Sequence, residues 1–209
     1  MTRVKICGLT NREDALAAVA LGAHALGFNL HPGSKRFIEL ERETAWIATL
    51  PPFVARVAVL VNAPLDDALQ IAAHPVIDLV QFHGDEDEEY CARFAQSGRP
   101  FIKALRLRDA AAIDAAHRYS TPHLLLDAHA GAAFGGTGTP IDLALAAECA
   151  RRHPALHIIL AGGLTPANVA RAVSAVRPFA VDVASGVEAE PRRKSGELMG
   201  AFLAAVAGA

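Results

Sequence analysis

The sequence predicts a single-domain α/β chain closed into a (β/α)8 barrel, on three observations. Short strand-like runs alternate with helical patterns eight times without interruption. The spacing is even, about 26 residues per unit over 209 residues. The residues capable of chemistry collect where strands end rather than where they begin. Strands that alternate with helices imply a parallel sheet with right-handed crossovers, and eight units is the count that closes a barrel. A doubly wound open sheet would favour fewer strands and often a Gly-x-Gly-x-x-Gly turn after the first, which is not present.

The strand-like runs are Val4–Cys7, Ala25–Asn29, Val54–Val61, Ile77–His83, Phe101–Leu105, Leu124–Asp127, His157–Ala161 and Ala180–Ala184. The helical patterns between them are Arg12–Leu21, Leu40–Thr49, Leu65–Ala73, Asp87–Gln96, Asp109–Arg118, Ile141–Arg152, Pro166–Val176 and Lys194–Ala207. In the first run Val4 and Ile6 share one face, whereas Arg3, Lys5 and Cys7 share the other. A strand with two cations and a thiol on its second face is not simply two-sided core. Gly8 breaks the run, and Thr10-Asn11 offers a cap for the first helix. No linker, low-complexity tract or second domain interrupts the series.

Composition bounds the function. Hydrophobic residues make up 52%, enough for a well-buried core, and 20 basic residues nearly balance 22 acidic ones. That balance gives no reason to expect nucleic acid or an anionic membrane as a partner. The three cysteines, Cys7, Cys91 and Cys149, are far apart and form no C-x-x-C pair, which suggests a reducing compartment and no zinc site. Without signal-peptide anatomy or a long apolar run, the expectation is a cytoplasmic protein, monomer or homodimer, acting on a small molecule.

The strand ends supply the candidate site. Cys7 closes the first strand; Asn29 and His31 follow the second, with Lys35-Arg36 in the loop beyond. Arg36 reads either as a solvated cation or as a bidentate clamp on a carboxylate. Gln81 and His83 share one face of the fourth strand, and Asp127 ends the sixth. Gly162-Gly163 after strand 7 and Ser185-Gly186 after strand 8 are turns at which backbone N–H groups can approach an anion, so a phosphate site is expected there. Thr165 is the expected cap of the helix that follows the glycine pair. Lys5 and Lys103 fall within strands, both expected to point into the barrel and to form a Schiff base or to pair with a carboxylate such as Asp182. The small, Gly-rich segment Ala128–Thr139, with Phe134-Gly-Gly-Thr-Gly138, reads as a flap or backbone cradle beside Asp127.

Taken together, Lys5-Ile-Cys-Gly-Leu-Thr10, Val80-Gln-Phe-His-Gly-Asp85, Phe134-Gly-Gly-Thr-Gly138, Leu160-Ala-Gly-Gly-Leu-Thr-Pro166 with Asn168-Val169, and Asp182-Val-Ala-Ser-Gly-Val-Glu188 resemble the phosphoribosylanthranilate isomerases of tryptophan biosynthesis. The blocks occur in order from the first strand to the last. The resemblance implies a TIM barrel and a cofactor-free, metal-free Amadori rearrangement of N-(5-phosphoribosyl)anthranilate to the 1-deoxyribulose 5-phosphate. It implies Asp127 as general acid and Cys7 as general base. Arg36 would face the anthranilate carboxylate, Gly162, Gly163, Ser185 and Gly186 would hold the phosphate, and Gln81, His83 and Asp182 are the expected further substrate contacts. The chain departs from the family pattern at Lys35, where a proline commonly precedes the arginine, at Leu143, a frequent tryptophan, and at Arg192-Arg-Lys-Ser195, usually Gly-x-Lys-Asp. Two other functions fit the same barrel: a lysine-dependent sugar-phosphate lyase or aldolase using Lys5 or Lys103, and a non-catalytic phosphate-ligand-binding barrel.

Overall fold

A computed structural model of the chain describes residues 1–128 and 141–209. Eight parallel strands close into a barrel in chain order. They are β1 (Arg3–Cys7), β2 (Ala25–Asn29), β3 (Ala55–Leu60), β4 (Leu79–Phe82), β5 (Phe101–Leu107), β6 (His123–Ala128), β7 (His157–Leu160) and β8 (Ala180–Val183). The helices are α1 (Arg12–Ala20), α2 (Leu40–Ile47), α3 (Leu65–Ala73), α4 (Glu88–Ala95), α5 (Ala110–Ala115), α6 (Leu143–Arg152), α7 (Val169–Val176) and α8 (Gly196–Ala207). The predicted barrel is therefore present. The Gly-rich stretch Phe134–Gly138, expected to be a flap or cradle, lies outside the described residues.

The ring closes where β1 pairs with β8, with Lys5 opposite Asp182. Side chains of the strands alternate between two cores. Val57, Ile102, Ala104, Leu125 and Ile159 fill the barrel interior, whereas Ile6, Phe28, Phe82, Leu124 and Leu126 pack outward against the helices. Helix starts are fixed by short polar caps. Asn11, Asp87, Asp109, Asp142 and Ser195 each accept a backbone N–H from the first turn of the helix they precede. Ser195 caps the last helix by accepting the Leu198 N–H.

Several expectations are corrected. Helix α7 begins at Val169, three residues after Pro166, because Thr165 does not cap it. Instead Asn168 Oδ1 accepts the Thr165 N–H at 2.8 Å, and Asn168 Nδ2 donates to the Gly163 carbonyl at 2.9 Å. The fifth helix ends at Ala115 and tightens into a 3₁₀ turn, Ala116–Arg118. A short antiparallel pair, β9 (Glu188–Glu190) and β10 (Arg193–Lys194), lies between β8 and α8. Lys103 does not point into the barrel. Ile102 and Ala104 take the inward positions, so Lys103 lies in the layer between sheet and helices, where its Nζ meets Glu86 Oε2 at 2.7 Å and the Gly84 carbonyl at 2.9 Å.

The strand starts are also less bare of chemistry than the sequence suggests. Below the barrel the Arg3 guanidinium lies 4.3 Å over the Phe179 ring, Phe179 stacks on His157 at 4.3 Å, and His157 stacks on His123 at 5.1 Å. Burial, and then the neighbouring His157, push the His123 pKa down. This stack belongs to packing at the barrel floor.

Phe82 is the hub of the outer core. Its buried ring meets Phe94 at 4.9 Å, Tyr90 at 5.2 Å and Phe101 at 5.4 Å, joining β4, α4 and β5. Phe82→Ala should cost about 3–5 kcal/mol of stability, the usual range for an emptied aromatic site. Denaturant unfolding checks this, and a loss below about 1 kcal/mol would show that the layer repacks.

Candidate active site

The C-terminal rim of the barrel carries two polar clusters, one around β1 and one around β4 and β6. In the first, Lys5 points inward and its Nζ lies 2.7 Å from Asp182 Oδ1, with both side chains buried. Burial works against the Lys5 charge, yet Asp182 and the adjacent Cys7 outweigh it and raise the pKa above the ordinary lysine value. Lys5 is held as an ammonium, not as a nucleophilic amine. Cys7 ends the same strand two residues on, so it shares that inward face. Gly27 on β2 stands opposite Cys7 and leaves room for both groups. A methyl at Gly27 would come 2.6 Å from Cys7 Sγ and 3.0 Å from Lys5 Nζ. Sequence reasoning passed over Gly27. A lone glycine in the middle of a strand is the signal that marks such a close approach.

Burial pushes the Cys7 thiol up, while Lys5 pulls it down and Asp182 opposes Lys5. Burial wins. Lys5 remains the principal neighbour that favours the thiolate.

Beside this cluster Arg36 forms a fork with Glu188, Nε to Oε1 at 2.6 Å and Nη2 to Oε2 at 2.7 Å. Lys194 reaches the same carboxylate at 3.1 Å. Burial disfavours the Glu188 charge, but the Arg36 hydrogen bonds and the Lys194 charge hold the carboxyl below its usual range. Arg36 is raised, first by its hydrogen bonds to Glu188. It is therefore no solvated cation. The stem of Arg36 also lies where a Gly8 side chain would be, and Gly8 adopts φ +75°. Glu188 was missed as a site residue because Arg36 lies 152 residues away in sequence, and Lys194 was missed with it because its part in the site runs through Glu188.

The second cluster is a chain. Gln81 Nε2 lies 2.8 Å from His83 Nδ1, and His83 Nε2 lies 3.0 Å from Asp127 Oδ2. Asp127 Oδ1 accepts the Ala128 N–H at 2.8 Å. Gln81 is fully buried. Next to this chain Gly162, at φ +85°, lies so close that a methyl there would come 2.6 Å from the Ala128 nitrogen and 3.0 Å from Asp127 Oδ1. The Gly162-Gly163 turn thus seats the carboxylate as well as opening the loop after β7.

Gly163 also takes a left-handed conformation, φ +64°. After β8 the residues Ser185–Val187 form a 3₁₀ turn. A side chain at Gly186 would collide with the Leu164 carbonyl, so its absence lets the loops after β7 and β8 lie against each other. All ten sequence-predicted site residues lie at or near the C-terminal rim. Arg36 is tied to the β8 side, while Gln81, His83 and Asp127 form one connected chain. Among the described residues no group of three or more His, Cys, Asp or Glu is placed to hold a metal ion, and no helix is long and apolar enough to cross a membrane.

The role of Lys5 can be read directly from the thiol. With Cys91 and Cys149 replaced by alanine, the alkylation rate of Cys7 against pH should rise at a pH above that of an ordinary thiol, about 8.5. Replacing Lys5→Met together with Asp182→Asn should move that rise still higher, since the thiolate loses its ammonium neighbour. An unmoved curve would show that the pull of Lys5 on Cys7 does not exceed the opposing push of Asp182.

Similar proteins carry the same arrangement of chain. The family model described as N-(5'-phosphoribosyl)anthranilate (PRA) isomerase matches residues 4–205. An N-(5'-phosphoribosyl)anthranilate isomerase of Geobacter metallireducens is 47% identical over 203 residues, 97% of this chain and 98% of the relative. The crystal structure of phosphoribosyl anthranilate isomerase from Thermotoga maritima is 39% identical with a TM-score of 0.90, and all of each chain is covered. A phosphoribosyl anthranilate isomerase solved in complex with reduced 1-(o-carboxyphenylamino)-1-deoxyribulose 5-phosphate is 37% identical with a TM-score of 0.86, again over both whole chains. With a match that runs from β1 into α8, the chain belongs to the phosphoribosylanthranilate isomerase family.

Proposed function

We propose that the chain catalyses the reaction for which its family is named, the Amadori rearrangement of N-(5-phosphoribosyl)anthranilate to 1-(2-carboxyphenylamino)-1-deoxyribulose 5-phosphate in tryptophan biosynthesis. Asp127 acts as general acid and Cys7 as general base. One observation carries this assignment: a thiol beside an ammonium at the end of β1 and a hydrogen-bonded carboxylate at the end of β6 share one barrel rim. The glycine turns after β7 and β8 stand between them in the ring.

An aldose-to-ketose shift moves two protons. Asp127 delivers one to the furanose ring oxygen; the C1–O bond breaks, and the amine nitrogen's lone pair forms a C1=N bond. Cys7, as thiolate, removes the proton from C2, giving an enolamine. Tautomerisation carries the enol proton to C1 and leaves the ketone, so atoms balance without a cofactor. The phosphate sits on backbone N–H groups of the loops at Gly162-Gly163 and Ser185-Gly186, anchoring the sugar between base and acid. Arg36 binds the anthranilate carboxylate, which must share the guanidinium with Glu188 or displace it. Arg36 and Lys194 against Glu188 leave one net positive charge there, matching the substrate's one carboxylate. Asp182 acts through Lys5 rather than on substrate.

The lysine-dependent lyase is disfavoured by the charge states and placements already described. Lys5 is locked to Asp182, and Lys103 lies outside the barrel lumen.

Purified protein given phosphoribosylanthranilate should consume its fluorescence, and no turnover would remove the proposal. Positioned acid–base groups are each worth about 10²–10⁴-fold. Cys7→Ser and Asp127→Asn should each lower kcat within that range while KM stays within a few-fold. Because burial raises Cys7, wild-type kcat/KM should climb with pH through the neutral range as thiolate forms. That climb should be missing in Cys7→Ser. Near-wild-type kcat in Cys7→Ser would assign the base elsewhere.

The phosphate loops give a separate test. Gly163→Val should raise KM for substrate and Ki for inorganic phosphate together, because the residue needs a left-handed backbone and open N–H groups. Unchanged constants would place the phosphate at another loop.

A further inference from the structure

The next inference rests on Asp127 being the general acid, and concerns where its proton is kept. His83 bridges Gln81 and Asp127, with Nδ1 2.8 Å from Gln81 Nε2 and Nε2 3.0 Å from Asp127 Oδ2. Gln81 is fully buried on β4, and its Oε1 has no hydrogen-bond partner among the described residues. Buried polar atoms without partners are uncommon and ask for a reason. A half-turn of the Gln81 amide exchanges Oε1 and Nε2 and sets the oxygen against His83 Nδ1. Oxygen can accept there only when Nδ1 carries a proton. The one glutamine can therefore serve both forms of the ring, donating to a bare Nδ1 or accepting from Nδ1–H.

When Nδ1–H points to Gln81 and Nε2–H to Asp127, the ring is an imidazolium beside a carboxylate. We propose that His83 and Asp127 hold the catalytic proton jointly, with Gln81 accommodating either state of the ring. His83 is then a positioning residue that acts through Asp127. In the ring-opening step the proton between His83 Nε2 and Asp127 Oδ2 is passed by Asp127 to the furanose oxygen. The C1–O electron pair goes to that oxygen, and the nitrogen lone pair forms the C1=N bond. What remains is a neutral Nδ1–H imidazole on Gln81 Oε1 and a carboxylate held by the Ala128 N–H. A proton from solvent restores the pair after product leaves. The arrangement answers a difficulty of the lone acid: a carboxylic acid gives up its proton more readily than an imidazolium does, so a proton shared with the ring is held more firmly.

The charged groups facing the pair border the same cavity, of about 360 Å³. From the β4 loop come Asp85, Glu86 and Asp87, from β5 and its loop Lys103, Arg106 and Arg108, and the titratable phenol of Tyr119 lines the cavity as well. Lys103 pairs with Glu86 at 2.7 Å and Arg106 approaches Asp85 at 3.4 Å, so charge of each sign is partly matched there. Gly162 covers Asp127 from the β7 side with no side chain.

The test replaces His83→Gln, whose amide keeps a neutral N–H near Asp127 but cannot store a proton. KM should stay within about threefold, since a positioning residue does not bind substrate. The kcat deficit should widen by up to tenfold per pH unit above the pH where a lone carboxyl gives up its proton, and level off once the wild-type pair gives up its proton as well. A variant with the wild-type kcat and pH profile would overturn the proposal while leaving the isomerase reading intact. Should the variant fold poorly, nitrogen NMR of histidine-labelled wild type decides between the two states of the ring. As the pH is lowered both His83 ring nitrogens should become protonated while Asp127 is still a carboxylate, and a ring that stays a neutral Nε2–H tautomer until Asp127 itself is protonated would contradict the proposal. This measurement needs no turnover, so a failure to consume phosphoribosylanthranilate would count against the function alone.

Discussion

The buried pair of Lys5 and Asp182 is the constraint on which both the closure and the chemistry of this barrel depend. The two residues face each other across the β1–β8 seam, where a ring of eight strands has to join its first to its last. Two charges taken out of water require each other; loss of one partner from such a pair typically costs about 3–5 kcal/mol. Their mutual demand fixes the register of the seam, because a shift by one residue would send Lys5 to the other face of the sheet. The same register fixes Cys7 two residues further along, on the inward face, with the Lys5 ammonium beneath it. Gly27, directly opposite, is bare because the thiol and the ammonium fill the space a side chain would need.

From that seam the rim divides into two electrostatic halves. Around β1, β2 and β8 the cations Lys5, Arg36 and Lys194 outnumber Asp182 and Glu188, which suits a thiolate and an anionic substrate. Around β4 and β6 the hydrogen-bonded chain of Gln81, His83 and Asp127 suits the storage and delivery of a proton. Burial opposes the thiolate, so the base half operates against desolvation and relies on its cations. The loops after β7 and β8 lie between the halves and touch through Gly186 and Leu164. A ligand anchored there is presented to both.

Much of this was legible in the sequence. Eight strand–helix units are visible as changes between period-two and helical patterning, and the polar strand ends mark the rim. What was not legible depends on pairings far apart in the chain. Glu188 meets Arg36 across 152 residues, and nothing local marks it. Lys103 was misplaced because strand side chains alternate, and the inward set on β5 is Ile102 and Ala104. The start of α7 was misread because Asn168 bonds Thr165 and Gly163 and so holds the preceding turn out of the helix. The histidines below the barrel gain meaning only once Phe179 and Arg3 are seen stacked on them.

The central claim is geometric: one substrate spans the rim with its C2 at Cys7 and its ring oxygen at Asp127. A crystal structure of this protein with the reduced product bound tests it most directly. The account predicts the phosphate at the Gly162-Gly163 and Ser185-Gly186 loops, C2 in contact with Cys7 Sγ, and the C4 oxygen within hydrogen-bond reach of Asp127. A ligand lying the other way round, with its carboxyphenyl group on the glycine loops and C2 remote from Cys7, would contradict it.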